Sequence, residues 1–108
     1  MPTWSSWQEA VRFDDGGPGV TLLHESEELK VVLVGLRAGQ ALPVHPGPAA
    51  SFVFLQGEAV MVVGEDEVRV AAGTVVVVPS GAARAVRAVS DAVFVGSLGD
   101  PTSEPGPH

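Results

Sequence analysis

The chain has 108 residues, which is the size of one domain and leaves no room for a second. Thirteen acidic residues against six basic ones give a formal charge of -7, which argues against a nucleic-acid partner and against an anionic membrane surface. The absence of cysteine excludes disulfides, thiolate metal sites and cysteine nucleophiles, and no apolar run reaches the length of a membrane span. We therefore expect a soluble, cytoplasmic protein.

The hydrophobic residues favour β-strands. Twenty of them are valine and eight are leucine, whereas isoleucine and tyrosine are absent. Side chains branched at Cβ suit the half-buried surface of a sheet better than a helix. Thirteen glycines and nine prolines interrupt the chain at short intervals, so its apolar runs stay at strand length. The composition predicts an all-β fold.

The first predicted element is nevertheless a short helix, over about residues 4–12. Ser6 and Glu9 have the spacing of a capping box, and apolar residues follow at helical spacing. The turn-forming residues 14–19 then end this segment.

Nine strand-like runs follow, each bounded by residues that close turns. Many short strands at even spacing indicate a sandwich or a barrel. The tail, residues 99–108, contains three prolines and no apolar residue, so we expect it to be flexible outside a single domain formed by residues 1–98. The predicted strands are residues 20–25, 29–37, 41–44, 51–56, 59–63, 67–70, 74–78, 83–88 and 92–97.

Glycine, proline and histidine recur in two groups of fixed spacing. In the first group five residues separate a glycine from a histidine, and in the second five residues separate a glycine from a Pro-x-Gly turn. The positions are Gly39, His45 and Gly57, then Gly73, Pro79 and Gly81.

This pattern resembles the two-motif signature of the cupin superfamily over roughly residues 29–97, and its second half is the more specific part. The resemblance implies a small antiparallel jelly-roll β-barrel, usually dimeric, with a pocket at one end. In metal-binding members two histidines, a glutamate and a further histidine from the second motif converge on one divalent ion inside the barrel.

Those ligands are mostly missing here. His45 matches the first histidine, but Gly47 stands at the second, and residues 46–57 contain no acid and form a shorter loop than the family pattern. Arg84 takes the place of the last histidine, and a guanidinium cannot deprotonate to become a ligand. We expect no metal site and no cofactor, and no stoichiometric transition metal in the purified protein.

The predicted ligand site lies at the barrel mouth. In the family pattern the position of Arg84 points into the barrel, where burying a cation without a partner costs free energy. Arg84 therefore either extends out to water or binds an anionic small molecule, with His45 as a second donor. His45 has the alternative of a solvated rim residue, and His24 is expected at the surface or in a dimer contact. The predicted ligand-binding residues are His45, Arg84, Phe52, Phe54 and Met61.

Three classes of function remain open. The first, which we favour, is a metal-free module that binds a small and possibly anionic molecule. The second is a metal-independent isomerase or epimerase that uses His45 as acid or base and Arg84 to hold a carboxylate. The third is a dimeric structural or interaction protein. A homodimer is expected in any case, because strand edges and the apolar Trp4, Trp7 and Phe13 need cover.

Overall fold

The computed structural model describes Trp4 and residues 6–99. Within this part of the chain one short helix, α1 (Trp7–Ala10), precedes nine strands. They are β1 (Gly19–Glu25), β2 (Leu29–Leu36), β3 (Ala41–His45), β4 (Ala50–Gln56), β5 (Glu58–Val63), β6 (Asp66–Ala71), β7 (Val75–Val78), β8 (Arg84–Ala88) and β9 (Ala92–Gly99).

The strands form two antiparallel sheets. One has five strands in the order β1-β2-β9-β4-β7, and the other has four in the order β3-β8-β5-β6. The two sheets face each other, and within the described residues no pairing of strands joins one sheet to the other. The predicted all-β jelly roll is therefore confirmed, as a sandwich of two sheets and not as a fully hydrogen-bonded barrel.

The core lies between the two sheets. Alternate residues of each strand point inward, as the period of two along a strand requires. Phe94 of β9 contacts Phe52 and Phe54 of β4, with ring centroids 5.7 and 5.2 Å apart. Met61 of β5 and Val86 of β8 are buried from the opposite sheet. Residues from distant parts of the sequence thus close one continuous apolar centre.

The N-terminal helix is much shorter than predicted. Helical hydrogen bonding covers Trp7–Ala10, and Ser6, although it occupies the N-cap position, makes no capping hydrogen bond with its side chain. Val11, which follows the helix, already has extended backbone angles. The predicted helix over residues 4–12 was too long, and the predicted capping box does not form. The reason is that contacts with the sheet beneath hold this segment.

That segment crosses the side of the five-stranded sheet that faces away from the core. A Cβ added at Gly19 or at Gly35 would collide with the carbonyl group of Arg12, so the backbone passes directly over these two glycines. The Thr21 hydroxyl donates to the carbonyl oxygen of Ala10 at 3.2 Å. The N-terminal segment therefore forms a partial third layer.

The predicted tail falls largely outside the described residues. Gly99 is the last residue of β9, where it pairs with Leu29, and its N–H donates to the carbonyl oxygen of Ala49 at 2.8 Å. No described helix has the length and apolarity needed to cross a membrane.

Candidate functional site

A small cavity of about 90 Å³ lies between the sheets, at the end where the β3–β4 and β7–β8 loops meet. Its walls are mainly apolar and come from both sheets. The contributors include Val32, Phe52, Phe94 and Leu98 of the five-stranded sheet and Leu42 of the other. Small-molecule sites share this combination of apolar walls and few polar groups, but at about 300–1,000 Å³ they are larger than this cavity.

Two side chains able to carry charge reach this cavity, and they are neighbours in the four-stranded sheet. His45 ends β3 and pairs with Arg84, which begins β8. Both line the cavity. The register of two strands thus brings together residues 39 positions apart in the chain.

Arg84 is buried, with 2% of its surface exposed, so the alternative in which it extends out to water is wrong. Its Nη2 donates to the carbonyl oxygens of Gly47 and Ala82, each at 3.0 Å, and its Nε donates to Ala82 at 3.2 Å. A longer contact of 3.5 Å joins Nη2 to the carbonyl of Pro79. Backbone carbonyls of the two loops hold the guanidinium in place.

The remaining nitrogen of Arg84 is unpaired. Nη1 is buried and has no hydrogen-bond partner within the described residues, and none of the ion pairs found there involves this arginine. Leaving a buried donor unsatisfied costs about 1–3 kcal/mol, and more when the group is charged. Burial lowers the pKa of Arg84, yet arginine remains a cation in proteins. The site therefore holds a positive charge with a free donor.

Gly47 packs against this arginine. A Cβ added at this position would be in van der Waals contact with Cζ and Nη1 of Arg84, at 3.4 Å from each. The N–H of Gly81 donates to the carbonyl oxygen of Gly47 at 2.8 Å, which also ties the two loops together. Where the family pattern has its second histidine, this chain thus supplies a backbone carbonyl that accepts from Arg84.

His45 is exposed on one side and lines the cavity on the other. Its Nδ1 lies 3.0 Å from the carbonyl oxygen of Pro43. Because a carbonyl only accepts, Nδ1 carries the proton in this contact, and Nε2 of the neutral ring is then an acceptor. His45 can donate a second hydrogen bond to an anion only as the imidazolium.

The other candidate residues divide between the cavity and places away from it. Phe52 lines the cavity, whereas Phe54 and Met61 are not among its lining residues. Both are almost completely buried, in the centre of the sandwich. His24 is exposed on the edge strand β1, opposite Val31 of β2, and does not line the cavity.

The residues present do not fit the divalent metal of the metal-binding cupins. Among the residues that the structure describes, no group of three or more His, Cys, Asp or Glu side chains is arranged to hold an ion. At the expected ligand positions the chain places His45, the backbone of Gly47 and the cation of Arg84. A guanidinium repels a metal ion and cannot ligate it, so these groups do not form a metal-binding set.

Comparisons with known proteins agree with the fold. An RmlC-like cupin protein from Desulfovibrio desulfuricans is 36% identical over 94% of this chain and 98% of that chain, with a TM-score of 0.82. The protein TT1209 from Thermus thermophilus is 28% identical over 91% and 98%, with a TM-score of 0.83.

A protein from Klebsiella pneumoniae with a double-stranded β-helix domain is 20% identical over 94% of this chain and 93% of that chain, and its TM-score of 0.84 reflects the fold alone. A comparison with curated proteins finds no match. The sequence profile of the Cupin domain family matches residues 32–95, which is more than half of the chain. The chain therefore belongs to the cupin family.

Proposed function

We propose that this cupin binds a small organic anion, most simply a short monocarboxylate, in the cavity beside Arg84 and without a metal ion. The observation that carries the proposal is the unpaired Nη1 of a buried guanidinium. A carboxylate oxygen placed there would accept a charge-assisted hydrogen bond and would neutralise the buried charge. The bound anion would supply the acceptor that the described part of the chain does not.

The shape and lining of the cavity limit the ligand. A volume of about 90 Å³ corresponds to about three water molecules, so the buried part of the ligand has roughly three to five non-hydrogen atoms. Phe52, Phe94 and Leu98 offer apolar contacts and no hydrogen-bond partners from their side chains. A carboxylate with a short apolar tail satisfies both the guanidinium and these walls, whereas a sugar would leave its hydroxyl groups unpaired.

The alternative of a metal-independent isomerase or epimerase has less support. Such an enzyme moves protons and needs acid and base groups within reach of the substrate. His45 and Arg84 are the titratable side chains that line the cavity, and the second of them does not give up its proton. A binding role needs only the fixed charge and the free donor of Arg84.

Thermal unfolding in the presence of a panel of small organic acids tests this proposal. A ligand at about 100 times its dissociation constant adds roughly 2.7 kcal/mol to a protein that it binds only in the folded state. For a domain of this size that is an increase in Tm on the order of 10 °C or more. We expect short apolar monocarboxylates to produce it, and the corresponding neutral amides to have no effect.

Two variants make the experiment specific. Arg84→Met removes the guanidinium and should abolish the increase, whereas Arg87→Met changes an exposed arginine on the same strand and should retain it. Because Arg84 also holds two loops, binding to this variant is measured by calorimetric titration at a temperature where circular dichroism shows it folded. Equal responses of the two variants, or no response of the parent protein to any acid, would contradict the proposal.

A further inference from the structure

The central strand of the five-stranded sheet has a glycine at an inward position. β9 lies between β2 and β4, and its residues Phe94 and Leu98 both line the cavity. Gly96 lies between these two residues, so its side-chain position faces the same way. A glycine inside a strand weakens it and often marks a place where a ligand or another group approaches closely. What fills the space above Gly96 therefore affects the cavity.

The ring of Phe52 lies over Gly96. Phe52 and Val32 pair with Gly96 from the two neighbouring strands, and both line the cavity. A Cβ added at Gly96 would lie 3.2 Å from Cε1 and 3.4 Å from Cδ1 of Phe52, and 3.4 Å from Cγ2 of Val32. Gly96 itself is not among the lining residues. The ring of Phe52 thus lies between this glycine and the cavity.

The free space next to this ring is the cavity itself. On another side the ring of Phe52 packs against the ring of Phe94, edge to face, with the centroids 5.7 Å apart. Protein interiors are close-packed, so a displaced side chain moves into the free space beside it. A methyl group at position 96 would therefore push the ring of Phe52 into the cavity and reduce its volume of about 90 Å³.

We infer that Gly96 is a positioning residue: through the ring of Phe52 it sets the size of the cavity and, with it, the length of the acid that binds. This inference rests on the proposed function, because it concerns the tail of the acid whose carboxylate binds Arg84. Arg84 belongs to the four-stranded sheet and Phe52 to the other, so the two ends of the ligand contact opposite walls. The guanidinium selects for charge, and the ring selects for length.

The size of the cavity predicts which acids respond. With room for roughly three to five buried non-hydrogen atoms, acetate and propanoate fit, whereas pentanoate is too long. One methylene more or less in an apolar pocket changes affinity by about 10–200-fold. Gly96→Ala should therefore weaken the binding of propanoate at least about tenfold more than that of acetate. Phe52→Leu removes part of the ring and should shift the tightest binding to a longer acid.

Calorimetric titration with the straight-chain acids from acetate to pentanoate measures these preferences. Ser97→Ala is the control, since Ser97 is the neighbour of Gly96 on β9, does not line the cavity and should keep the parental order of acids. The double variant Gly96→Ala/Phe52→Leu separates positioning from a general loss of structure. Its smaller side chain at position 52 leaves room for the added methyl group, so it should regain the parental preference for propanoate over acetate.

Xenon tests the size of the cavity without any acid, because it binds in apolar cavities. Followed by xenon NMR, its binding should be weaker in Gly96→Ala than in the parent protein and stronger in Phe52→Leu. If Gly96→Ala does not fold by circular dichroism, Phe52→Leu alone tests the same wall.

The two proposals fail in different ways. Absence of acid binding to the parent protein would contradict the proposed function, while the order of xenon affinities still tests the role of Gly96. Parental xenon affinity in Gly96→Ala, or in Phe52→Leu, would overturn the inference. So would an unchanged preference for propanoate over acetate in Gly96→Ala, or an equal change of that preference in Ser97→Ala.

Discussion

At the scale of single residues, Arg84 explains most of what distinguishes this chain from a metal-binding cupin. The sequence predicted that Arg84 replaces a ligand, but it left open whether the side chain faces water or the cavity. The answer depends on the carbonyl groups of Gly47 and Ala82, which hold the guanidinium inside. Backbone acceptors carry no signature in the side-chain sequence, so this cradle could not be predicted from it.

A similar limit explains why one of the three apolar candidates lines the cavity and two do not. Phe52, Phe54 and Met61 all have the inward parity of their strands, and the sequence alone could not tell which of them lies nearest the mouth. The distance of a residue from the mouth depends on how many residues separate it from the end of its strand. Phe52 lies two residues closer to the start of β4 than Phe54 and reaches the cavity.

Two motif glycines should differ in how strongly they tolerate alanine. Gly57 and Gly73 both have positive φ, +78° and +93°, which costs an L-residue roughly 1–2 kcal/mol. A Cβ at Gly57 would also collide with the backbone of Asp91, whereas one at Gly73 meets nothing within 4 Å. In urea unfolding we expect Gly57→Ala to lower the free energy of unfolding by more than about 3 kcal/mol and Gly73→Ala to lower it by about 1–2 kcal/mol. Equal decreases in the two variants would show that the collision with the Asp91 backbone does not contribute.

At the scale of secondary structure, the sequence located all nine strands to within a few residues. Valine-rich runs and their bounding glycines were sufficient, because both the pattern and the turns act locally. The helix was overestimated since residues 11–13 follow the surface of the sheet instead of their own helical spacing. That contact is not local, so no pattern within the segment reveals it.

Gly35 tests how the N-terminal segment is held. Gly35→Ala places a methyl group against the carbonyl of Arg12 and should lift the segment from the sheet. Trypsin should then cleave after Arg12 several times faster than in the parent protein, because cleavage requires local opening. Gly17→Ala is the control, since a Cβ there meets nothing within 4 Å. Cleavage at the parental rate in Gly35→Ala would mean that the segment is held elsewhere.

At the scale of the whole molecule, the chain keeps the cupin fold but not the metal-ligating residues of the metal-binding cupins. Fold and turns follow the cupin pattern from residue 32 to residue 95, while the chemistry at the mouth does not. A fold accommodates many functions because function depends on the few residues at the site. Where metal-binding members hold a metal ion, this chain holds the guanidinium of Arg84. The guanidinium is also a positive charge, but it offers no open coordination positions.

The whole molecule also combines a strong negative charge with a cationic cavity. The guanidinium of Arg84 is buried beside the cavity, in a chain whose formal charge is -7.

The most direct test of the central claim is a crystal structure of the untagged protein grown with the monocarboxylate that most increases its Tm. We predict a carboxylate oxygen about 2.7–2.9 Å from Nη1 of Arg84, the usual length of such a charge-assisted bond, with the apolar tail against Phe52 and Phe94. An anomalous peak from a metal ion beside His45, or a cavity holding only water while the acid binds elsewhere, would contradict the account.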